Sequence, residues 1–165
     1  MNKFSPGIVE SNELLARFVL LDMHLDKRTR KPKPNLFTHI ATRGCSIQRD
    51  SRATSSEISG FLSEFLKTNS DAKWHSVLIA NCGRVRGLQM PGKSQRLLCV
   101  YDAVEKKRNP SHGEIYKTRH VSDDGDLPEM RRLLMRVFDA DNPIPPSRYR
   151  SGAVWGSLSP ELKSR

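Results

Sequence analysis

His75-Ser76-Val77-Leu78-Ile79-Ala80-Asn81-Cys82 is apolar without a break from Val77 to Ala80, with polar groups only toward its ends. A run this short and this apolar reads as a β-strand buried on both faces. Arg96-Leu97-Leu98-Cys99-Val100-Tyr101-Asp102-Ala103 reads the same way. Around these two lie segments with weaker strand patterning. In 17–25, Val19, Leu21, Met23 and Leu25 alternate with Leu20, Asp22 and His24, after a short helical turn expected at 11–16. Further strands are expected at 36–41, 45–49 and 113–120.

Two segments carry the helical period instead. In 55–67, Thr54 and Glu57 have capping-box spacing. Ile58, Phe61, Leu62, Phe65 and Leu66 then form one apolar stripe, with Asn69 as the stop. In 127–139, Asp126 and Glu129 repeat the cap spacing, Pro128 suits the first turn, and Met130, Leu133, Leu134, Val137 and Phe138 make the stripe. Asp123, Asp124 and Asp126 stand at the positive end of that helix dipole. Strands not regularly interleaved with helices point to α+β: a mostly antiparallel sheet of five or six strands with two packed amphipathic helices.

At 165 residues the chain has the size of one domain, assigned to 1–142. Residues 143–165 are proline-rich and are expected to form an extended or partly disordered tail, with Trp155 tacking it to the body. No apolar run approaches the ~18–20 residues of a membrane span. The first residues lack the apolar core of a signal peptide. Three separated cysteines make no disulfide framework. A reduced, cytoplasmic globular protein is the expectation.

Charge is the strongest compositional feature: 28 Lys+Arg against 18 Asp+Glu, net +10, with a mean hydropathy of −0.58. Residues 26–52 carry +6 and 83–121 carry +6, whereas 122–142 carry −3. The densest piece, Lys27-Arg28-Thr29-Arg30-Lys31-Pro32-Lys33-Pro34, is expected as a solvated loop. Two basic blocks sharing one face would focus a positive field on an anionic partner.

The segment richest in chemistry is Asn109-Pro110-Ser111-His112-Gly113-Glu114. A turn signal leads into a histidine and a carboxylate two residues apart, which on a strand point to the same side. A carboxylate beside an imidazole orients it for acid–base work. The His-x-Glu spacing lacks the downstream cysteine pair of zinc deaminases, since no cysteine follows Cys99. Asp102, Glu114 and Lys117 miss the nuclease spacing by one residue. Thr42-Arg43-Gly44 offers an arginine fork to a phosphate. Asn81-Cys82-Gly83-Arg84-Val85-Arg86-Gly87 reads as a strand end with two arginines on one face. It is neither a Walker loop nor a dinucleotide fingerprint. The five histidines and three cysteines have no metal-ligand spacing, so neither a metal nor a cofactor is expected.

Three functions follow. The first is phosphate-mediated binding of nucleic acid or another polyanion through Lys27, Arg28, Arg30, Lys31, Lys33, Arg43, Arg49, Arg84, Arg86 and Arg119, as a subunit of a larger assembly. The second is an enzyme on a phosphate-bearing nucleotide or dinucleotide, with His112 and Glu114 as acid–base pair and Arg43 or Arg84 as clamp. It requires these groups to converge in one pocket. The third is a protein–protein adaptor, marked by an exposed apolar patch.

Overall fold

The structure is a computed structural model, and it describes residues 8–21, 23–68, 73–103, 111–123 and 125–149, except the side chains of Phe61, Phe65 and Thr68. The expected roles of Asp22, Asn69, Asn109-Pro110, Asp124 and Trp155, and of the Phe61 and Phe65 side chains, lie outside the described residues.

Five antiparallel strands form one sheet: β1 (Leu14–Leu20), β2 (Cys45–Arg49), β3 (Trp74–Asn81), β4 (Leu98–Asp102) and β5 (His112–Lys117), in the order β3-β1-β2-β5-β4. Among the described residues three α-helices accompany it: α1 (Ser55–Thr68), α2 (Cys82–Arg86) and α3 (Leu127–Val137). Short 3-10 helices cover Pro34–Ala41 and Asp50–Arg52. The class is α+β, with one α-helix more than the periodicity showed.

Alternation along the strands sorts the sheet into two faces. Leu15, Val19, Leu78, Ala80, Ile47, Ile115 and Val100 pack with Phe37, Met130, Leu134 and Phe138 on one side. The rings of Phe37 and Phe138 stand 5.2 Å apart between centroids. On the other side, Leu14, Ala16, Val77 and Ile79 meet Ile58 and Leu62 of α1, together with Tyr149. The capping box is formed as spaced: Glu57 N donates to Thr54 Oγ1 at 3.2 Å, and Thr54 N donates to Glu57 Oε2 at 2.7 Å.

β3 and β4, the two most apolar runs, are the edge strands. β3 is buried on both faces as expected, whereas β4 buries Leu98 and Val100 on one face and leaves Cys99 half-buried and Tyr101 exposed on the other. The β3 edge is covered by residues beyond α3. Val77 and Ile144 exchange backbone hydrogen bonds of 2.9 Å in each direction, and Tyr149 donates to Asp50. Residues 143–149 are thereby tied to the body.

Four local readings are corrected. The strand begins at Leu14, where a helical turn at 11–16 was expected, because β1 lies between β3 and β2 and buries Leu14, Leu15 and Ala16 alike. Residues 36–41 are helical. Pro34 opens a 3-10 helix that puts Leu36, Phe37 and Ile40 into the core, a spacing a strand would split between its two faces. Residues 82–86 form α2, capped by Asn81, whose side chain accepts from Arg84 N at 3.2 Å. Arg84 and Arg86, two apart on a helix, do not share a face. Arg49 is fully buried rather than exposed, for the reason given below.

Candidate functional site

The antiparallel registers distribute the expected site residues between the two ends of the sheet. β1 starts where β3 and β2 end, since Leu14 opposes Asn81 and Leu15 opposes Arg49. Arg49, Arg84 and Arg86 therefore stand at one end. β2 starts beside the end of β5, with Cys45 opposite Ile115. This places Arg43, Arg119 and the loop following β1 at the other end. The two basic blocks do not form one continuous row.

Arg49 takes no part in an outer surface. Its Nε donates to Glu13 Oε2 at 2.8 Å and its Nη2 to Glu13 Oε1 at 2.6 Å and to Ile8 O at 3.0 Å. Asp102 Oδ2 lies 3.8 Å from Nη1. A guanidinium this enclosed is tolerated only with such a bidentate partner. Arg86 Nη2 donates to Val100 O at 3.1 Å, tying α2 to β4. The basic loop is exposed and shaped by Asp26. Its carboxylate accepts from the backbone of Arg28 and Thr29, and Asp26 N donates to Lys31 O at 2.8 Å. Lys31 pairs with Asp141 at 3.1 Å.

The site proper lies where β1 and β2 part. They are registered only at Leu15–Arg49 and Ala16–Gln48, although β1 runs on to Leu20 and β2 begins at Cys45. A cavity of about 470 Å³ opens at this divergence. β1 supplies Arg17, Phe18 and Leu20, β2 supplies Ser46, Ile47 and Gln48, β5 supplies His112 and Glu114, and Leu62 comes from α1. Met23, His24, His39, Arg43 and Gly44 complete the lining. This volume suits a small molecule, within the ~300–1,000 Å³ range of such pockets.

His112 and Glu114 do share a strand face, as their spacing requires. Both are buried, with Nε2 and Oε1 3.7 Å apart. Tyr116, two residues on, places its hydroxyl 2.8 Å from Glu114 Oε2 and 2.8 Å from Arg43 O. Gly113 between the pair is required. A Cβ there would meet Ile47 Cδ1 at 2.7 Å and the Tyr101 carbonyl oxygen at 3.0 Å.

Sequence reasoning missed Arg17, His24 and His39. Arg17 Nη1 donates to Ser46 O at 2.7 Å and Nη2 to Leu36 O at 2.8 Å, so its guanidinium stands in the gap where strand pairing stops. Burial lowers its affinity for its proton. His24 Nδ1 accepts from Leu20 N at 3.1 Å. Burial, then the charges of Arg17, Lys33 and His39, push His24 down to about 4. His39 Nε2 accepts from Arg43 Nη2 at 2.8 Å. Burial, then Arg43, Arg17 and Arg131, hold His39 below the usual imidazole range. Both imidazoles are neutral hydrogen-bond acceptors in a positive field. The available signal was Arg17 itself, a lone cation inside the apolar run Leu14–Leu20.

Among the described residues no three His, Cys, Asp or Glu side chains cluster as a metal site requires, and no helix is long and apolar enough to cross a membrane. Among the described residues the large exposed apolar side chains, Ile8, Met23 and Tyr101, belong to three separate segments. No family model, no curated protein and no solved structure matches this chain.

Proposed function

We propose that the protein is an enzyme acting on a small phosphate-bearing molecule by acid–base chemistry. The observation that carries this reading is the convergence of Arg43, His112 and Glu114 on one cavity. His112 is the proton-transferring group and Glu114 the carboxylate that orients it and balances the imidazolium. Their 3.7 Å separation exceeds the hydrogen-bond range of about 2.7–3.2 Å, as catalytic pairs without ligand often do. Tyr116 donates to the other carboxylate oxygen, Oε2, and so fixes the orientation of the carboxylate beside the imidazole. Arg43 stands at the rim, exposed and ready to meet an anionic group.

The test is turnover of a panel of nucleotides, dinucleotides and sugar phosphates, followed by phosphorus NMR. His112→Gln is expected to lower the rate by about 10²–10⁴-fold and Glu114→Gln by a smaller factor. Both variants turning over at the parent rate would end this reading.

A second reading, phosphate-mediated binding of nucleic acid, is favoured by the ordered, exposed display of Lys27, Arg28, Arg30 and Lys31. Arg43 and Arg119 lie at the same end of the sheet, whereas the enclosure of Arg49 removes one of its expected contacts.

A further inference from the structure

The parting of β1 and β2 leaves an electrostatic imbalance. Two guanidiniums, Arg17 and Arg43, line the cavity, and Glu114 is the one carboxylate among the described residues that do so. Glu114 is already engaged by Tyr116 and stands beside His112. Neither arginine has a carboxylate within ion-pair distance among the described residues. Arg17 donates only to two backbone carbonyls, and its buried Nε has no hydrogen-bond partner among the described residues. Arg43 donates to a neutral imidazole. Lys33 and Arg131 add further positive charge around His24 and His39. A partly buried cation normally faces an opposite charge, because neutral acceptors do not return its lost hydration. Contrast Arg49 in the same sheet, which has a carboxylate in direct bidentate contact.

The rest of the wall is apolar: Phe18, Leu20, Met23, Ile47 and Leu62. A bare sugar phosphate would leave that wall unused and bury its own hydroxyls against it. A nucleobase would lie on it, and about 470 Å³ holds a mononucleotide rather than a polymer.

We propose that the notch between β1 and β2 seats the phosphate of a nucleoside monophosphate unit, with Arg17 and Arg43 as its counter-charges and the base against Phe18, Leu20 and Leu62. This rests on the pocket assigned above to a phosphate-bearing substrate, and it names the substrate class and the end of the pocket that receives the phosphate. Arg17 and Arg43 are binding residues here. His112 and Glu114 lie farther along the strands, beside the bond to be worked on.

The experiment is an imidazole-detected NMR titration of the full chain with inorganic phosphate, adenosine monophosphate, adenosine and ribose 5-phosphate. An anion beside Arg17 and Arg43 raises the proton affinity of His24 and His39, so their signals are expected to move saturably while those of His75 and His120 stay. Adenosine monophosphate is expected to bind about tenfold or more tightly than phosphate, ribose 5-phosphate or adenosine alone, a step of about 1.4 kcal/mol. Arg43→Ala, at an exposed position, is expected to cost a similar factor against both phosphate and adenosine monophosphate. Arg17→Lys keeps the charge but not both backbone hydrogen bonds, so it is read only if its thermal transition survives.

No saturable movement of His24 or His39 at about 10 mM of any anion, weaker than ordinary specific binding, would overturn the seat. So would an Arg43→Ala titration identical to the parent. Ribose 5-phosphate binding as tightly as adenosine monophosphate would overturn the base half. The same titration on His112→Gln separates the two claims. Shifts that persist there, with turnover unaffected, sink the acid–base reading and leave the phosphate seat standing.

Discussion

Arg49 and Arg17 are both arginines on neighbouring strands, yet the sequence around each one did not tell them apart. Arg49 is buried against Glu13, whose partner is thirty-six residues away along the chain. Burial pushes the Glu13 carboxyl up. The Arg49 hydrogen bonds, the Glu10 amide, and the charges of Arg49 and Arg52 outweigh this and hold it below 4.5. The linkage sign follows: a carboxylate depressed in the folded state stabilises fully above its unfolded pKa, and the contribution is lost as pH falls through the folded value. Arg49→Met removes the bidentate partner of the enclosed Glu13, leaving it only half-exposed Arg52 at 3.4 Å and the Glu10 amide at 3.0 Å, and is expected to cost about 3 kcal/mol, the low end for breaking a buried pair. The difference from the parent should shrink in acid, where the Glu13 carboxyl takes up a proton in the folded state. Glu13→Gln added to Arg49→Met should recover part of the loss. Urea midpoints at pH 7 and pH 4 check all three statements. A variant within 1 kcal/mol of the parent at pH 7, against that expected loss, would mean that the pair contributes little.

At the scale of elements, the site is built by interruptions of regular structure. β1 and β2 stop pairing after two residue pairs, and the chain enters β2 through Gly44, whose φ of 82° lies in the left-handed region. A Cβ at Gly44 would stand 2.5 Å from Tyr116 Cζ, so the phenol ring occupies the space that a side chain would fill. Gly44→Ala is therefore expected to cost about 2 kcal/mol or more, from the φ penalty plus displacement of Tyr116 from Glu114. That is a fall in Tm of roughly 4–8 °C for a chain of this size. Any turnover should fall with it, whereas Thr54→Ala, at the α1 cap and outside the cavity lining, should lower stability by about 1 kcal/mol and leave turnover alone. The comparison tests whether Tyr116 positions Glu114 or merely fills space. The regular elements were legible because their periods are local. The stripe of α3, the capping box of α1 and the alternation that puts His112 and Glu114 on one face all appear within a few residues. The 3-10 helix at Pro34–Ala41 was not legible, since a short apolar run fits a strand as well and only packing against Phe138 decides it. Nor was the cavity, which depends on where β1 and β2, both far from β5 in the chain, stop pairing.

For the whole molecule, the question is what the +10 charge does. Part of it is absorbed internally. The acidic segment around α3 meets the basic blocks through Lys31–Asp141, Lys93–Asp126 and Lys117–Asp123. Lys93 and the Ser122 amide hold the Asp126 carboxyl down at about 2, so that pairing stays charged throughout the ordinary pH range. The basic loop, Arg43 and Arg119 stand at the end of the sheet where the cavity lies, whereas Arg84 and Arg86 stand at the other end. That arrangement raises the local concentration of any anion, a rate effect that salt screens. It also separates the two readings of function. If the loop only steers a small ligand, replacing Lys27, Arg28, Arg30, Lys31 and Lys33 by Ala should slow ligand association at low salt and leave the dissociation rate unchanged, because none of the five lines the cavity. If the loop grips a nucleic acid, the parent should bind duplex DNA with a log–log salt slope steeper than about −4, at roughly −0.9 per phosphate neutralised, and the five-site variant should flatten it by several units. Stopped-flow association of adenosine monophosphate and a salt series with duplex, run on the same two proteins, decide between them. A slow-associating variant with no duplex binding in the parent leaves the pocket as the place where this protein's charge acts.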